Sequence, residues 1–252
     1  MSGWLFLLLA TSTLTGGLLP FALRKKANDT LLKTMLSFGG SFLFSVTILY
    51  LIPETFESGD KLVGVFVLCG FFFQIILEQF TGGVEHGHLH LHEHKNEKLI
   101  KAQIFFSLSL HSFMEGIPLG TDMFGNANTQ HTFFFGIMLH ELPAAFALSS
   151  ILNHGKPLQL KSFVMALLYA LMAPAGALLS HMLSVEDVAQ VHEHGHHAHS
   201  QGFNYLMAFI IGTFLHISTI ILFENSPNHR FSRYKIISVM LGALLASMSL
   251  WV

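Results

Sequence analysis

The chain has a single cysteine, Cys69, and it lies inside an apolar run. An intramolecular disulfide framework is therefore excluded. Charge is scarce as well. Asp, Glu, Lys and Arg make up 11% of the 252 residues, where a soluble domain carries about 25%. A formal net charge of -2 leaves no basic excess of the kind that attracts nucleic acid. No Gly-rich phosphate loop precedes a Lys-Ser or Lys-Thr pair, so ATP-driven pumping by this chain alone is not expected. No basic residue precedes the first apolar stretch, and Arg24-Lys25-Lys26 follow it. A secretory signal peptide has the opposite polarity, so that stretch reads as a retained helix. Long soluble segments are missing too, and the two longest loops are both rich in histidine.

Apolar residues are plentiful: 52% of the chain is hydrophobic, with 25 Phe. These proportions predict an all-α integral membrane protein with one transmembrane domain over residues 1–252. A membrane-crossing helix needs about 20 apolar residues for a hydrocarbon core of about 30 Å. Eight segments meet that demand, at about Gly3–Leu23, Leu36–Ile52, Leu62–Phe80, Ala102–Leu119, Thr132–Leu152, Ser162–Leu183, Phe203–Phe223 and Ile236–Val252. Pro53-Glu54 closes the second, and Pro174 and Gly176 lie in the middle of the sixth.

Basic residues test this count, because inner loops collect Lys and Arg. Arg24, Lys25, Lys26 and Lys33 fall in the first loop, Lys95, Lys98 and Lys101 in the third, Lys156 and Lys161 in the fifth, and Arg230, Arg233 and Lys235 in the seventh. Only Lys61 falls on the other side, so 12 of 13 agree. A miscounted span would invert every later loop. Eight helices with both termini outside are expected, and the outer loops are acidic or neutral.

Against this background, polar residues inside apolar runs stand out. An ionisable side chain at mid-membrane costs a few kcal/mol on insertion scales and usually turns to a partner, an ion or a water path. His111 and Glu115 are four apart in the fourth span and share a helix face. His140 and Glu141 lie in the fifth. Imidazole and carboxylate together suit zinc and other borderline divalent metals. His111, Glu115 and His140 would form an incomplete tetrahedron whose open position takes water or another side chain. Glu141, rotated by about 100° from His140, could reach a second metal position with Glu115 and Ser112, accept a proton, or stay protonated at a helix interface. Pro118 and Pro143 sit within a turn of these residues, where a missing N–H can free carbonyls or form a kink. Gly116 and Gly120, with Gly39, Gly40, Gly176 and Gly212, permit close helix approach. His216 is a further candidate ligand or proton carrier, or a hydrogen-bonded packing residue. His181 and His131 lie near outer helix ends, on a conceivable ion path. The His-rich loops, about 82–98 and 186–201, hold His86, His88, His90, His92 and His94, and His192, His194, His196, His197 and His199. Such tracts bind metal weakly without a fold, or are simply solvated loops.

The motif His111-Ser112-x-x-Glu115-Gly116, followed by His140-Glu141-x-Pro143, resembles the paired metal-site motifs of the ZIP (Zrt/Irt-like) divalent metal transporters. Leu51-Ile52-Pro53-Glu54 and Gly212-Thr213-Phe214-Leu215 also resemble segments of that family, and the likeness covers nearly the whole chain. The resemblance implies a bundle built around helices 4 and 5, with the first three and last three helices related by an inverted pseudo-repeat. It implies metal movement toward the cytoplasm by alternating access. Carried over by position, His111, Glu115 and His140 match primary-site ligands, and Ser112 and Glu141 match positions that serve a second metal. Two positions depart from the pattern. Ala144 stands one turn after His140, where the family usually has His or Glu. Ala173 stands before Pro174, where some members have a carboxylate. One metal held by three side chains plus water, or completed by Glu141, is the expectation.

The resulting reading is a divalent metal importer and not an enzyme, with Zn2+ as the first transported ion and Fe2+ or Mn2+ as alternatives. Two other readings compete. An intramembrane zinc-dependent hydrolase would use Glu141 to activate water; a transport-inactive sensor would bind metal without flux. Expected partners are the metal ion, the lipid bilayer and, as an option, a second copy of the chain in a homodimer. The bacterial inner membrane is the expected location.

Overall fold

The computed structural model describes residues 3–23, 29–57, 59–81, 97–121, 127–153, 157–190, 201–223 and 233–248. Among the described residues every regular element is helical. The helices are α1 (Gly3–Leu23), α2 (Asp29–Val46), α3 (Ile52–Phe56), α4 (Leu62–Thr81), α5 (Glu97–Gly116), α6 (Ala127–Asn153), α7 (Leu160–Ala170), α8 (Met172–Gln190), α9 (Gln201–Phe223) and α10 (Arg233–Met248). A helix satisfies its own backbone, as hydrocarbon demands. Six spans are long and apolar enough to cross a membrane: α1, α2 through α3, α4, α6, α7 through α8, and α9. Two more helices occupy the remaining expected positions. The twenty residues of α5 include Glu97, Lys98, Lys101 and Glu115, and α10 has 16 residues.

Prolines shape three of these rods. The second span passes Pro53, where the sequence reading placed its end, and continues to Phe56. A π turn at Thr47–Leu51 makes this possible: Ile52 N–H bonds to Thr47 O, and Pro53 falls in the first turn of α3, where its missing donor is not needed. The sixth span breaks at Leu171, between α7 and α8. Pro174 has no N–H for the Ala170 carbonyl, four residues earlier. Beyond α5 the chain tightens into a 3-10 turn, Ile117–Gly120, around Pro118.

Helices α2, α6 and α9 are the most enclosed of the apolar spans. Large side chains such as Phe133, Phe134, Ile137, Ile210 and Phe214 fill the space between them. The outward faces of α4 and α10 expose Leu68, Phe72, Ile76, Ile237, Met240 and Leu244. Packing partners recur in exchanged pairs. α2 packs on α10 as α4 packs on α9, and α1 packs on α6 as α5 packs on α8.

Hydroxyls tie several of these pairs together. Ser41 Oγ donates to Val239 O and Ser238 Oγ to Thr34 O, each at 2.7 Å, joining α2 to α10. Ser107 Oγ donates to Leu77 O at 3.0 Å, joining α5 to α4. Close approach of α5 and α8 depends on glycine. A Cβ on Gly116 would overlap the Ala173 carbonyl, and one on Gly120 the Ala177 carbonyl; Gly176 meets Phe113 O in the same way. These contacts bear out the role expected of the small residues.

At the other end of α4 a polar clamp fixes the preceding loop. Gly59, at φ 67°, turns the chain. Asp60 then accepts hydrogen bonds from Tyr205 Oη at 2.6 Å, Gln201 Nε2 at 3.1 Å and Leu62 N at 2.9 Å. Tyr205 most of all, then Leu62 N–H and Gln201, hold the Asp60 carboxyl below its ordinary pKa.

Candidate metal centre

One turn of α5 separates His111 from Glu115, and the helix carries both toward α6. His140 meets them from α6. Glu115 Oε1 stands 3.0 Å from His111 Nε2 and 3.5 Å from His140 Nε2. The imidazole rings are edge to face, with centroids 6.0 Å apart and planes at 88°. One ligand atom from each residue lies within 4.8 Å of the others, and among the described residues no other group of three such side chains is so arranged. All three are 1% exposed.

Metal bonds of about 2.0–2.1 Å at the tetrahedral angle place neighbouring ligand atoms about 3.3 Å apart. The two distances from Glu115 Oε1 fall on either side of that spacing. Burying the Glu115 carboxylate is costly, and a divalent cation shared with the two imidazoles is a partner that would offset that cost. The donor set of two imidazoles and a carboxylate suits zinc.

Ser112 and Glu141 are also fully buried. The Glu141 carboxyl lies alongside Ser112 and Glu115 but is not one of the converging three. Ala144 is buried in α6, and Ala173 is buried on α8 with its carbonyl against Gly116. The Leu139 carbonyl, whose partner Pro143 cannot supply, faces α2 at Gly39. Gln130 Nε2 donates to Leu119 O at 3.2 Å and Thr121 O at 3.3 Å, closing the end of the 3-10 turn.

His216 does not join this cluster. Its Nε2 lies 2.8 Å from Glu78 Oε2 of α4. His181 is exposed on α8, and His131 is half-buried on α6. Both His-rich runs lie outside the described residues, as does the Asp122–Asn126 loop. Sequence reasoning passed over Glu78. A signal for it existed: Glu78 is a carboxylate within an apolar run, the same feature that singled out Glu115.

A family model described as ZIP Zinc transporter matches residues 83–250. The chain is 29% identical over 168 residues to Zinc transporter ZIP9 of Xenopus tropicalis, covering 63% of this chain and 50% of that protein. It is 28% identical over 172 residues to Zinc transporter ZIP9 of Micropogonias undulatus, covering 65% of this chain and 51% of that protein. The chain thus spans about half the length of the curated relatives it matches.

Proposed function

Because this chain belongs to the ZIP zinc transporter family, we propose that it carries zinc across a membrane toward the cytoplasm, through a site between α5 and α6. Members of this family are transporters and not enzymes, so the hydrolase alternative falls away. The observation that carries the reading is the buried convergence of His111, Glu115 and His140. Three ligands leave one tetrahedral position for water, as suits a site that must both take up and release its ion. Glu141 and Ser112 stand beside it as an added ligand or a second position. Zn2+ is the first assignment; Fe2+ and Mn2+ share the ligand chemistry.

Eight membrane-crossing helices, with the basic loops on the cytoplasmic side and both termini outside, complete the reading. The exchanged packing pairs support an inverted repeat of the first three and last three spans around α5 and α6. Such a repeat allows rocking between two faces of a fixed central site. The bacterial inner membrane and a homodimer extend the reading.

Radiolabelled zinc uptake into proteoliposomes tests it, with wild type compared to His111→Ala and Glu115→Ala. Saturable flux that both substitutions abolish supports transport through this site. Zinc bound by folded, correctly oriented protein but never moved overturns it in favour of the transport-inactive sensor.

A further inference from the structure

A second buried His–carboxylate pair lies outside the metal centre, on the seam between α4 and α9. His216 Nε2 and Glu78 Oε2 are 2.8 Å apart, and the His216 side chain is 6% exposed. Its other ring nitrogen, Nδ1, is buried and has no hydrogen-bond partner among the described residues. Phe71 of α4 meets the same imidazole edge to face, at 5.0 Å between centroids. Phe71 and Glu78 are two turns apart on α4 and both touch His216. Gln74, midway between them, therefore faces the same seam, and it is fully buried. Imidazole and carboxylate thus meet on this seam, and the Gln74 amide lies on the same face of α4.

Depth relates this cluster to the metal centre. Ser107 of α5 hydrogen bonds to Leu77 O, the neighbour of Glu78. Ser107 is also one turn before His111, about 6 Å along the axis. The Glu78–His216 pair thus lies about one turn from the metal centre, toward the end of α5 that carries Lys98 and Lys101. That end is the cytoplasmic one by the charge rule. Glu78 is 21% exposed, so its carboxylate has room to open the pair to the spacing of about 3.3 Å that a shared zinc ion requires.

We infer that Glu78 and His216, with Gln74 beside them, form a second divalent-cation site that receives zinc from the central one on its way to the cytoplasm. The inference rests on the proposed transport function and deepens it. Fewer strong ligands and greater exposure make this the weaker site, as an onward station must be. In sequence, the run beginning at His86 starts five residues after α4 ends.

The competing role for the pair is interhelical glue, and conservative variants separate the two. His216→Gln keeps a hydrogen-bond donor for Glu78, and Glu78→Gln keeps an acceptor for His216, yet each removes a strong zinc ligand. Zinc content and zinc uptake are measured on the whole chain in proteoliposomes for wild type, both variants and His111→Ala. The site predicts that wild type binds a tight and a weak zinc. Each seam variant would keep the tight ion, lose the weak one and slow uptake about tenfold or more, within the range typical for groups around metal sites. Wild-type zinc content and uptake in either variant overturn the inference. Should either variant fail to retain its fold, the other decides; if both unfold, the pair is glue and the inference fails. Should His111→Ala leave uptake intact, the proposed transport site fails instead, whatever the seam variants do.

Discussion

Gly39 of α2 lies against the backbone of His140: a Cβ placed on Gly39 would stand 3.1 Å from His140 Cα and 3.3 Å from Leu139 O. The position of one candidate metal ligand is therefore set by a residue that has no side chain to ligate with. Gly39→Val pushes α6 away from α2 and moves the imidazole. Overpacking of this kind costs about 1–3 kcal/mol. We expect a lower thermal midpoint and a zinc affinity reduced about tenfold, since about 1.4 kcal/mol is a factor of ten. Calorimetric zinc titration checks this, with Gly64→Ala as control. Nothing lies within 4 Å of a Cβ there, so the control leaves binding unchanged and gains up to about 1 kcal/mol in helix stability.

Gly116→Ala strikes the α5–α8 contact through the Ala173 carbonyl, a backbone atom that cannot rotate aside. A loss of about 1–3 kcal/mol or more follows. Thermal unfolding in detergent should show Gly116→Ala well below Gly202→Ala, whose added Cβ meets nothing within 4 Å. Equal midpoints would contradict the close packing.

Two buried glutamates next to each other invite a comparison. Glu115 contacts both imidazoles, whereas Glu141 stands outside the converging trio. Glu115→Gln should remove measurable zinc binding at the centre. Glu141→Gln should weaken it about 10–100-fold, the scale of an outer partner of a metal site. Competition of each variant with a fluorescent zinc chelator gives the order, and a reversed order would make Glu141 the ligand.

The Asp60 clamp predicts a pH dependence. Its folded pKa is depressed by Tyr205, Leu62 N–H and Gln201, so its stabilising effect is present above the unfolded value of about 4. That effect is lost as pH falls through the lower, folded value. Wild type should melt above Asp60→Asn at neutral pH, and the difference should shrink as the solution is acidified below about pH 4. A gap that stays constant down to strongly acidic pH would mean that the carboxylate charge plays no part.

Much of this arrangement was readable in the chain. Length and hydropathy mark α1, α4 and α9, because hydrocarbon leaves the backbone no alternative to a helix. The spacing of His111 and Glu115, and their expense in an apolar run, single out the pair that the structure brings against His140. The π turn at Thr47–Leu51 was not readable, since one shifted hydrogen bond leaves no mark on residue type. Nor was the end of the second span, because Pro53 signals a stop unless a first-turn position is prepared for it. The meeting of Gly39 with His140 and of Glu78 with His216 joins residues about a hundred or more positions apart. A periodicity within one helix shows which face each residue occupies and not which helix that face meets.

The composition of the central cluster also settles how an electric field acts on it. A divalent cation brings two positive charges, Glu115 supplies one negative charge, and ligating imidazoles are neutral. Those three side chains alone would offset one of the two charges of a bound divalent ion. A membrane potential acts on each unit charge that crosses it with about 2.3 kcal/mol per 100 mV. On the proposed transport reading, an inside-negative potential favours inward passage of a divalent ion through this site, because the three side chains would offset only one of its two charges.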